Sequence, residues 1–192
     1  MIDDTPADTT LGILAGGRAR RLGGVDKAWL SRDGVPQVLR IARRFAHEVD
    51  ATLVSANHDA ARYAACGLDS VEDAVRNAGP IGGLDALART SATTWLLTIP
   101  VDVVGVNECL LQTLQACAGG EGAFAVDEDG LQPLVALWMV TSLRKALPPF
   151  LAAGDHAVQD LQRQLGMHEV RFAGVRFGNL NTPADLAAAG VQ

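Results

Sequence analysis

Hydrophobic positions along the chain fall into two alternating patterns: short continuous apolar runs, and longer stretches with helical spacing. The runs at 10–15, 51–57 and 93–102 have the length and apolar content of buried strands. Helical spacing is found over 36–49 and again over 79–91. Continuous apolar strands that alternate with helices predict an α/β fold, with a mostly parallel central sheet and helices on both faces.

The second half of the chain has a less regular pattern. Two neighbouring strands are predicted at 123–126 and 133–140, joined by an acidic hairpin turn at 127–130. The remaining predicted elements are helices at 59–66, 107–117, 142–153, 156–165 and 181–189, and strands at 69–73 and 170–175.

Two of these helices carry residues that are typical of a helix start. Asn107 is a candidate N-cap for the helix at 107–117. In the last helix, Thr182 is the predicted N-cap, Pro183 takes the first helical position and Asp185 takes the third.

Length and charge narrow the class of protein. The 192 residues fit one domain, predicted at 10–192, and the acidic segment 1–9 has no periodic pattern and is predicted to be a flexible tail. The net charge of −6 argues against non-specific binding to nucleic acid, which needs a basic surface. There is no long apolar run and no signal-peptide pattern, which predicts a cytoplasmic protein without a membrane segment.

A glycine-rich basic segment, LAGGRARRLGGVDK, follows the first predicted strand at residues 14–27. It is not a P-loop, because Lys27 follows an aspartate and no Ser or Thr comes next, and its glycine spacing does not fit G-x-G-x-x-G. Glycines let successive backbone N–H groups point into one concavity that holds an anion. The cations that would reach the same space are Arg18, Arg20, Arg21 and Lys27. A solvated loop with outward-pointing arginines is the alternative interpretation.

Asp102 follows the most hydrophobic predicted strand directly. Parallel α/β sheets bind ligands at the carboxyl ends of their strands, so Asp102 should share a crevice with the glycine-rich segment. A carboxylate there is a candidate ligand of Mg²⁺, which takes one or two carboxylates together with substrate phosphates. A carboxylate that only caps a loop is the equally weighted alternative.

The segment LAGGRARRLGGVDK resembles the signature L-A-G-G-x-x-x-R-x-G-G-x-D-K of the molybdenum cofactor guanylyltransferases, the MobA family. The similarity continues in order through almost the whole chain. It includes DGVP (33–36), VED (71–73), GPIGG (79–83), PVD (100–102), QPLVAL (132–137) and NLNTPADL (179–186).

The resemblance implies a three-layer Rossmann-like nucleotidyltransferase fold and an enzyme that transfers GMP from GTP to the terminal phosphate of molybdopterin, with Mg²⁺ and release of pyrophosphate. It further implies GTP and the molybdopterin cofactor as partners, together with molybdoenzyme maturation proteins. Carried over by position, the nucleotide-binding residues are Leu14, Ala15, Gly16, Gly17, Lys27, Ser55, Asp73 and Asp102. Arg21, Gly24, Lys27 and Asp102 are the implied catalytic residues, Asp102 is the metal ligand, and Asn179 and Asn181 lie on the acceptor side.

Three segments depart from the family pattern. Ser55 stands where an asparagine is common, so either Ser55 or Asn57 contacts the base. In the family, PVD is usually followed by one residue and then a proline, whereas Val103, Val104 and Gly105 follow it here. Gln-Pro-Leu at 132–134 stands where the family usually has His-Pro-Thr. The last two changes fall on the acceptor side. A related enzyme with another nucleotide or acceptor (a cytidylyl or sugar-phosphate transferase) and a non-catalytic nucleotide-binding module therefore stay as alternatives.

Overall fold

The computed structural model of the chain describes residues 8–16, 26–75, 78–106, 108–154 and 157–191. Several predictions fall outside these ranges. They concern most of the N-terminal tail, Asn107, and the part of the glycine-rich segment that holds Gly17, Arg18, Arg20, Arg21 and Gly24.

Helices and strands alternate along the described chain much as the hydrophobic pattern predicts. The strands are β1 Thr9–Leu14, β2 Ser31–Arg32, β3 Val35–Pro36, β4 Ala51–Ser55, β5 Asp69–Val71, β6 Trp95–Pro100, β7 Gly122–Asp127, β8 Gly130–Met139 and β9 His168–Arg171. The helices are α1 Gln37–Phe45, α2 Ala60–Ala65, α3 Pro80–Thr90, α4 Leu110–Cys117, α5 Val140–Ala152, α6 Val158–Leu165 and α7 Pro183–Ala189. A short 3₁₀ turn spans Lys27–Trp29.

Seven strands form one sheet in the order β5-β4-β1-β6-β8-β7-β9, and β2 and β3 form a separate small hairpin. β1 runs parallel to β4 and β6, β4 to β5, and β7 to β9. This confirms the predicted mostly parallel sheet. Only β8 runs antiparallel to its neighbours β6 and β7, because the tight turn predicted at 127–130 reverses the chain into an adjacent strand.

Two hydrophobic clusters lie on opposite faces of this sheet. One contains Leu11 and Ile13 of β1 with the buried faces of α1 and α4, and the other contains the buried faces of α3, α5 and α6. Gly12 belongs to the second face, where a Cβ would lie 2.8 Å from Leu87 Cδ1 of α3. The absence of a side chain at Gly12 therefore lets α3 pack closely on β1, and the three-layer prediction is confirmed.

Several predicted boundaries differ from the structure, among them those of α1, α4 and the last strand. α1 ends at Phe45, short of the predicted 49, and α4 begins at Leu110 with Cys109 as its N-cap, later than the predicted start at 107. The last strand, predicted at 170–175, is His168–Arg171, because its pairing with β7 stops at Arg171. The apolar residues beyond it pack in the core as a loop, where the Phe172 and Phe177 ring centroids lie 5.7 Å apart.

Candidate active site

The carboxyl ends of three parallel strands meet at one edge of the sheet. The Ala15 N–H donates to the Ser55 carbonyl at 2.9 Å, and the Val101 N–H donates to the Leu14 carbonyl at 3.0 Å. These bonds place the start of the glycine-rich segment between the end of β4 and the end of β6. The three strand ends predicted to share a crevice therefore lie side by side, while residues 17–25 of the glycine-rich segment lie outside the described residues.

Lys27, Asp102 and Asn181 come together at this edge. The Lys27 ammonium donates to Asp102 Oδ2 at 2.8 Å and to Asn181 Oδ1 at 2.7 Å. The Lys27 and Asp102 side chains are 15% and 24% exposed, so the pair is shielded but still open to a ligand. Asp26 starts the 3₁₀ turn that carries Lys27, since its Oδ1 accepts from the Ala28 N–H at 2.9 Å.

The C-terminal segment reaches Asp102 by pairing with the chain that follows it. Val103 and Asn179 form an antiparallel bridge, and the Leu180 N–H donates to the Asp102 carbonyl at 2.9 Å. Asn179 and Asn181, which flank Leu180, are both exposed beside the carboxylate.

The capping box of α7 fixes this segment from the other side. Asp185 Oδ2 accepts from the backbone N–H groups of Asn181 at 3.0 Å and Thr182 at 2.7 Å, and Thr182 Oγ1 accepts from the Asp185 N–H. Hydrogen bonds from the Thr182 side chain and from these backbone groups lower the pKa of Asp185. The predicted cap is confirmed, and it also positions Asn181.

Ser55, Asn57 and Asp73 form a second polar cluster at the end of β4. Ser55 Oγ donates to Asp73 Oδ1 at 3.2 Å, and Asn57 Nδ2 donates to Asp73 Oδ2 at 3.0 Å. The Asp73 N–H in turn donates to Asn57 Oδ1 at 3.0 Å. Both Ser55 and Asn57 therefore hold Asp73, which is the half-buried carboxylate of the cluster.

Glycines let the chain approach this cluster from two sides. A Cβ on Gly83 would lie 2.5 Å from Ser55 Oγ, and one on Gly82 would lie 3.3 Å from Asp73 Oδ2. A Cβ on Gly16 would lie 3.6 Å from Asn57 Nδ2. The sequence shows these glycines in its GPIGG and LAGG segments, but the requirement for a missing side chain at Gly83 becomes visible only in three dimensions.

Asp85 is a buried acid behind the same cluster that the sequence did not single out. Burial raises its pKa, the adjacent Arg89 guanidinium opposes the rise, and the Asp73 carboxylate adds to it. Its carboxylate is paired with Arg89 at 2.5 Å one helical turn away, so we assign it a role in packing α3.

A cleft of about 460 Å³ opens beside Asp102. Among the described residues that line it, Asp102 is the only charged one, and the polar lining consists mainly of carboxamides. The lining comprises Pro100, Asp102, Val103, Gln132, Pro133, Leu134, Val135, Ala157, Val158, Gln159, Asn179 and Asn181. Such a lining is suited to an uncharged group that forms hydrogen bonds and is less suited to an anionic one.

The donor set at Asp102 can be tested against a Mg²⁺ ion. In the described part of the chain, no three His, Cys, Asp or Glu side chains come together as a metal cluster. Asp102 uses Oδ2 for Lys27, and its Oδ1 has no hydrogen-bond partner among the described residues. An unpaired carboxylate oxygen on a residue that lines the cleft fits Mg²⁺ that takes its other ligands from phosphates and water.

The comparisons with known proteins agree with this geometry. The family model described as a MobA-like NTP transferase domain matches residues 11–170. A molybdenum cofactor guanylyltransferase of Cereibacter sphaeroides is 39% identical over 183 residues, covering 92% of this chain and 93% of that protein. Another from Serratia proteamaculans (strain 568) is 34% identical, covering 90% and 89%. A crystal structure of molybdopterin-guanine dinucleotide biosynthesis protein A from Archaeoglobus fulgidus has a similar fold, with a TM-score of 0.70, 17% identity and coverage of 94% and 96%.

Within the described ranges, no helix is both long and apolar enough to cross a lipid bilayer.

Proposed function

The chain belongs to the MobA-like NTP transferase family, a family of nucleotidyltransferases, and from this premise we propose that it transfers GMP from GTP to the terminal phosphate of molybdopterin. The products are molybdopterin guanine dinucleotide and pyrophosphate. The observation that carries the proposal is the contact of Lys27 with both Asp102 and Asn181. It joins the end of the glycine-rich segment to the wall of a cleft large enough for an acceptor.

The proposed reaction is an in-line displacement at the α-phosphorus of GTP. An oxygen of the acceptor phosphate forms the new bond to phosphorus, and the bond to the bridging oxygen of pyrophosphate breaks. A phosphate monoester is already largely dianionic at neutral pH, so its attack needs no strong general base. Catalysis then rests on positioning and on neutralising negative charge.

Asp102 is the residue that would hold Mg²⁺, through the carboxylate oxygen that Lys27 leaves unused. When bound there, the ion supplies Lewis-acid stabilisation of the phosphate oxygens. Asp102 also keeps Lys27 in the crevice, because the ammonium and the carboxylate lie 2.8 Å apart. The same side chain would therefore serve as a metal ligand and as an orienting partner for the lysine.

Lys27 would contact the phosphates of GTP. Its ammonium group lies at the carboxyl edge of the sheet, next to the glycine-rich segment. Phosphate oxygens would replace Asp102 and Asn181 as its hydrogen-bond acceptors. Arg21, Gly17 and Gly24, predicted to act with it, lie outside the described residues.

Asp73 would bind the base. Leu14, Ala15 and Gly16 are predicted to contact the nucleotide through their backbone; the Leu14 carbonyl and the Ala15 N–H are paired within the sheet, so the Ala15 carbonyl and Gly16 would make this contact. Guanine presents a ring N–H and an amino N–H side by side, and a carboxylate can accept from both. Ser55 and Asn57 already donate to Asp73, which supports a positioning role for both side chains. Asn179 and Asn181 would contact the acceptor across the crevice.

The proposal is tested by measuring pyrophosphate release from GTP, CTP, ATP and UTP with Mg²⁺ and molybdopterin cofactor, with and without EDTA. We expect release from GTP that EDTA abolishes. Release from CTP instead would retain the fold and the chemistry but change the product. GTP binding without release from any nucleotide would contradict the enzymatic proposal and favour a binding module.

A further inference from the structure

Gln132 stands at the wall of the cleft with its carboxamide held in one orientation. On this basis we propose that Gln132 selects the acceptor by accepting a hydrogen bond from an N–H group of its nitrogen heterocycle, and that Asp127 is the positioning residue that orients it. The proposal rests on the proposed function and adds a specificity residue to it.

A break in strand pairing brings Gln132 to the cleft. Ala125 of β7 pairs with Gln132, but its neighbour Phe124 pairs with Ala136. Residues 133–135 therefore have no partner on β7 and bulge out of the ladder, as a proline without an N–H favours. All four residues from 132 to 135 line the cleft.

The bulged carbonyls have side-chain partners instead of strand partners. Gln162 Nε2 donates to the Pro133 carbonyl at 2.7 Å, and Thr98 Oγ1 donates to the Leu134 carbonyl at 2.8 Å. The Trp138 indole N–H donates to the same Thr98 hydroxyl at 2.8 Å. Gln162, Thr98 and Trp138 are at most 1% exposed, so the bulge is a built feature of the core.

Asp127 determines which end of the Gln132 carboxamide faces the cleft. Gln132 Nε2 donates to Asp127 Oδ1 at 3.2 Å, and a carboxylate can only accept. The Gln132 carbonyl oxygen must therefore point away from Asp127, and it has no hydrogen-bond partner among the described residues. The cleft wall thus presents an acceptor, which selects for a donor on the ligand.

Asp127 is itself anchored. It is 2% exposed, its Oδ1 accepts from the Asp129 N–H at 2.9 Å, and its Oδ2 accepts from the Phe177 N–H at 2.7 Å. Phe177 lies two residues before Asn179, which also lines the cleft. Backbone groups therefore hold the Asp127 carboxylate in place independently of Gln132.

The chemistry of the cleft indicates which part of the acceptor it takes. Asp102 is the only charged residue among the described ones that line it, and it stands where phosphate chemistry is proposed. The region around Gln132 is formed by neutral amides and apolar side chains, which suit an uncharged heterocycle with ring or amino N–H groups, as a pterin has. Discrimination by such a hydrogen bond is strong because a ligand without the donor leaves the glutamine carbonyl unpaired.

The experiment measures guanylyl transfer with the acceptor varied and GTP saturating, and GTP affinity separately by calorimetry. Gln132→Met keeps the length of the side chain and removes both polar groups. We expect its KM for the acceptor to rise about five- to tenfold, the loss of one hydrogen bond, with unchanged GTP affinity. The acceptor KM of Gln132→His should stay close to the wild-type value, because one ring nitrogen can donate to Asp127 while the other accepts from the ligand. Gln112→Met, on the exposed face of α4, is the control.

An unchanged acceptor KM in Gln132→Met, in an enzyme that transfers GMP, would overturn this inference and leave the proposed function intact. A wild-type chain that transfers no GMP would overturn the proposed function itself. The positioning role is tested in the double variant Asp127→Asn with Gln132→Met. If Asp127 acts through Gln132, the double variant has the acceptor KM of Gln132→Met alone, whereas additive increases would contradict that role.

Discussion

The Lys27 ammonium and the Asp102 carboxylate lie 2.8 Å apart although 75 positions separate them in the chain. The pair joins the segment after β1 to the end of β6, the strand next to β1 in the sheet. Lys27 also reaches Asn181, 154 positions away, so three distant segments meet at one ammonium group. In the proposed function, the ammonium group would contact the phosphates of the nucleotide and the carboxylate would bind the metal ion.

Replacing Asp102 removes the proposed metal ligand and the partner of Lys27. We expect Asp102→Ala to lower turnover by about 100-fold or more, as the loss of a principal electrostatic stabiliser does. Steady-state pyrophosphate release measures the effect, with Asp69→Ala, an exposed carboxylate on β5, as control. Turnover close to that of the wild type would remove Asp102 from the metal role.

Replacing Lys27 should chiefly weaken GTP binding. Loss of a charge-assisted hydrogen bond to phosphate is worth about 1.5–3 kcal/mol, so the Kd for GTP should rise by about 10- to 100-fold in Lys27→Ala. Calorimetry without the acceptor measures this directly. Lys145→Ala, at an exposed position of α5, controls for the loss of one positive charge, and equal affinities in both variants would speak against a phosphate contact by Lys27.

Gly83 tests the close approach of α3 to the base side of the crevice. An added methyl group would lie 2.5 Å from Ser55 Oγ and 3.0 Å from Leu14 Cδ2, so Gly83→Ala must displace Ser55 and with it a hydrogen bond to Asp73. We expect the free energy of unfolding to fall by about 1–3 kcal/mol from overpacking, together with weaker GTP binding. Gly120→Ala has no neighbouring atom within 4 Å and should change neither quantity. If Gly83→Ala binds GTP as tightly as the wild type, Ser55 has no part in binding the base.

Asp127 should make the free energy of unfolding depend on pH. Burial acts to raise its pKa, but hydrogen bonds from the Phe177 N–H, the Gln132 amide and the Asp129 N–H together hold the pKa below its usual value. Its stabilising contribution is therefore present above the unfolded pKa, about 3.9, and is lost as the pH falls through the lower folded value.

Urea unfolding of the wild type and of Asp127→Asn at about pH 6 and about pH 3 measures this contribution. The wild type should lose more free energy of unfolding over this interval, because the asparagine has no proton to take up. Asp69→Asn serves as the exposed control. The same pH dependence in the wild type and in Asp127→Asn would contradict a lowered pKa of Asp127 in the folded chain.

The sequence predicts the layers better than the contacts. Hydrophobic periodicity locates nearly every major strand and helix, because burial on two faces leaves a continuous apolar run while burial on one face leaves a helical stripe. It misses the β2–β3 hairpin, which has two residues in each strand, and it misplaces the last strand, because core residues in a loop are as apolar as core residues in a strand. The end of α1 at Phe45 likewise depends on tertiary packing that periodicity does not report.

For the candidate site as well, the sequence predicts individual residues better than the contacts between them. Lys27, Asp102 and Asp73 could be singled out because each stands in a motif or directly after an apolar strand. The contact between Lys27 and Asn181 could not be predicted from spacing, since it depends on how the C-terminal segment pairs with Val103. The proposed role of Gln132 depends on a bulge three residues long and on a buried acid in the preceding strand. Pro133 favours the bulge, but no local pattern in the sequence shows that Asp127 contacts Gln132.

In the proposed reaction, this chain transfers GMP, which contains the α-phosphate of GTP, to molybdopterin. The most direct measurement follows GTP labelled at the α-phosphate, with Mg²⁺ and molybdopterin cofactor, and compares the wild type with Asp102→Ala. We predict that label appears in a pterin dinucleotide with the wild type and is reduced by about 100-fold or more with the variant. Label that stays in GTP with the wild type, or a dinucleotide that forms from labelled CTP in preference to GTP, would contradict the account.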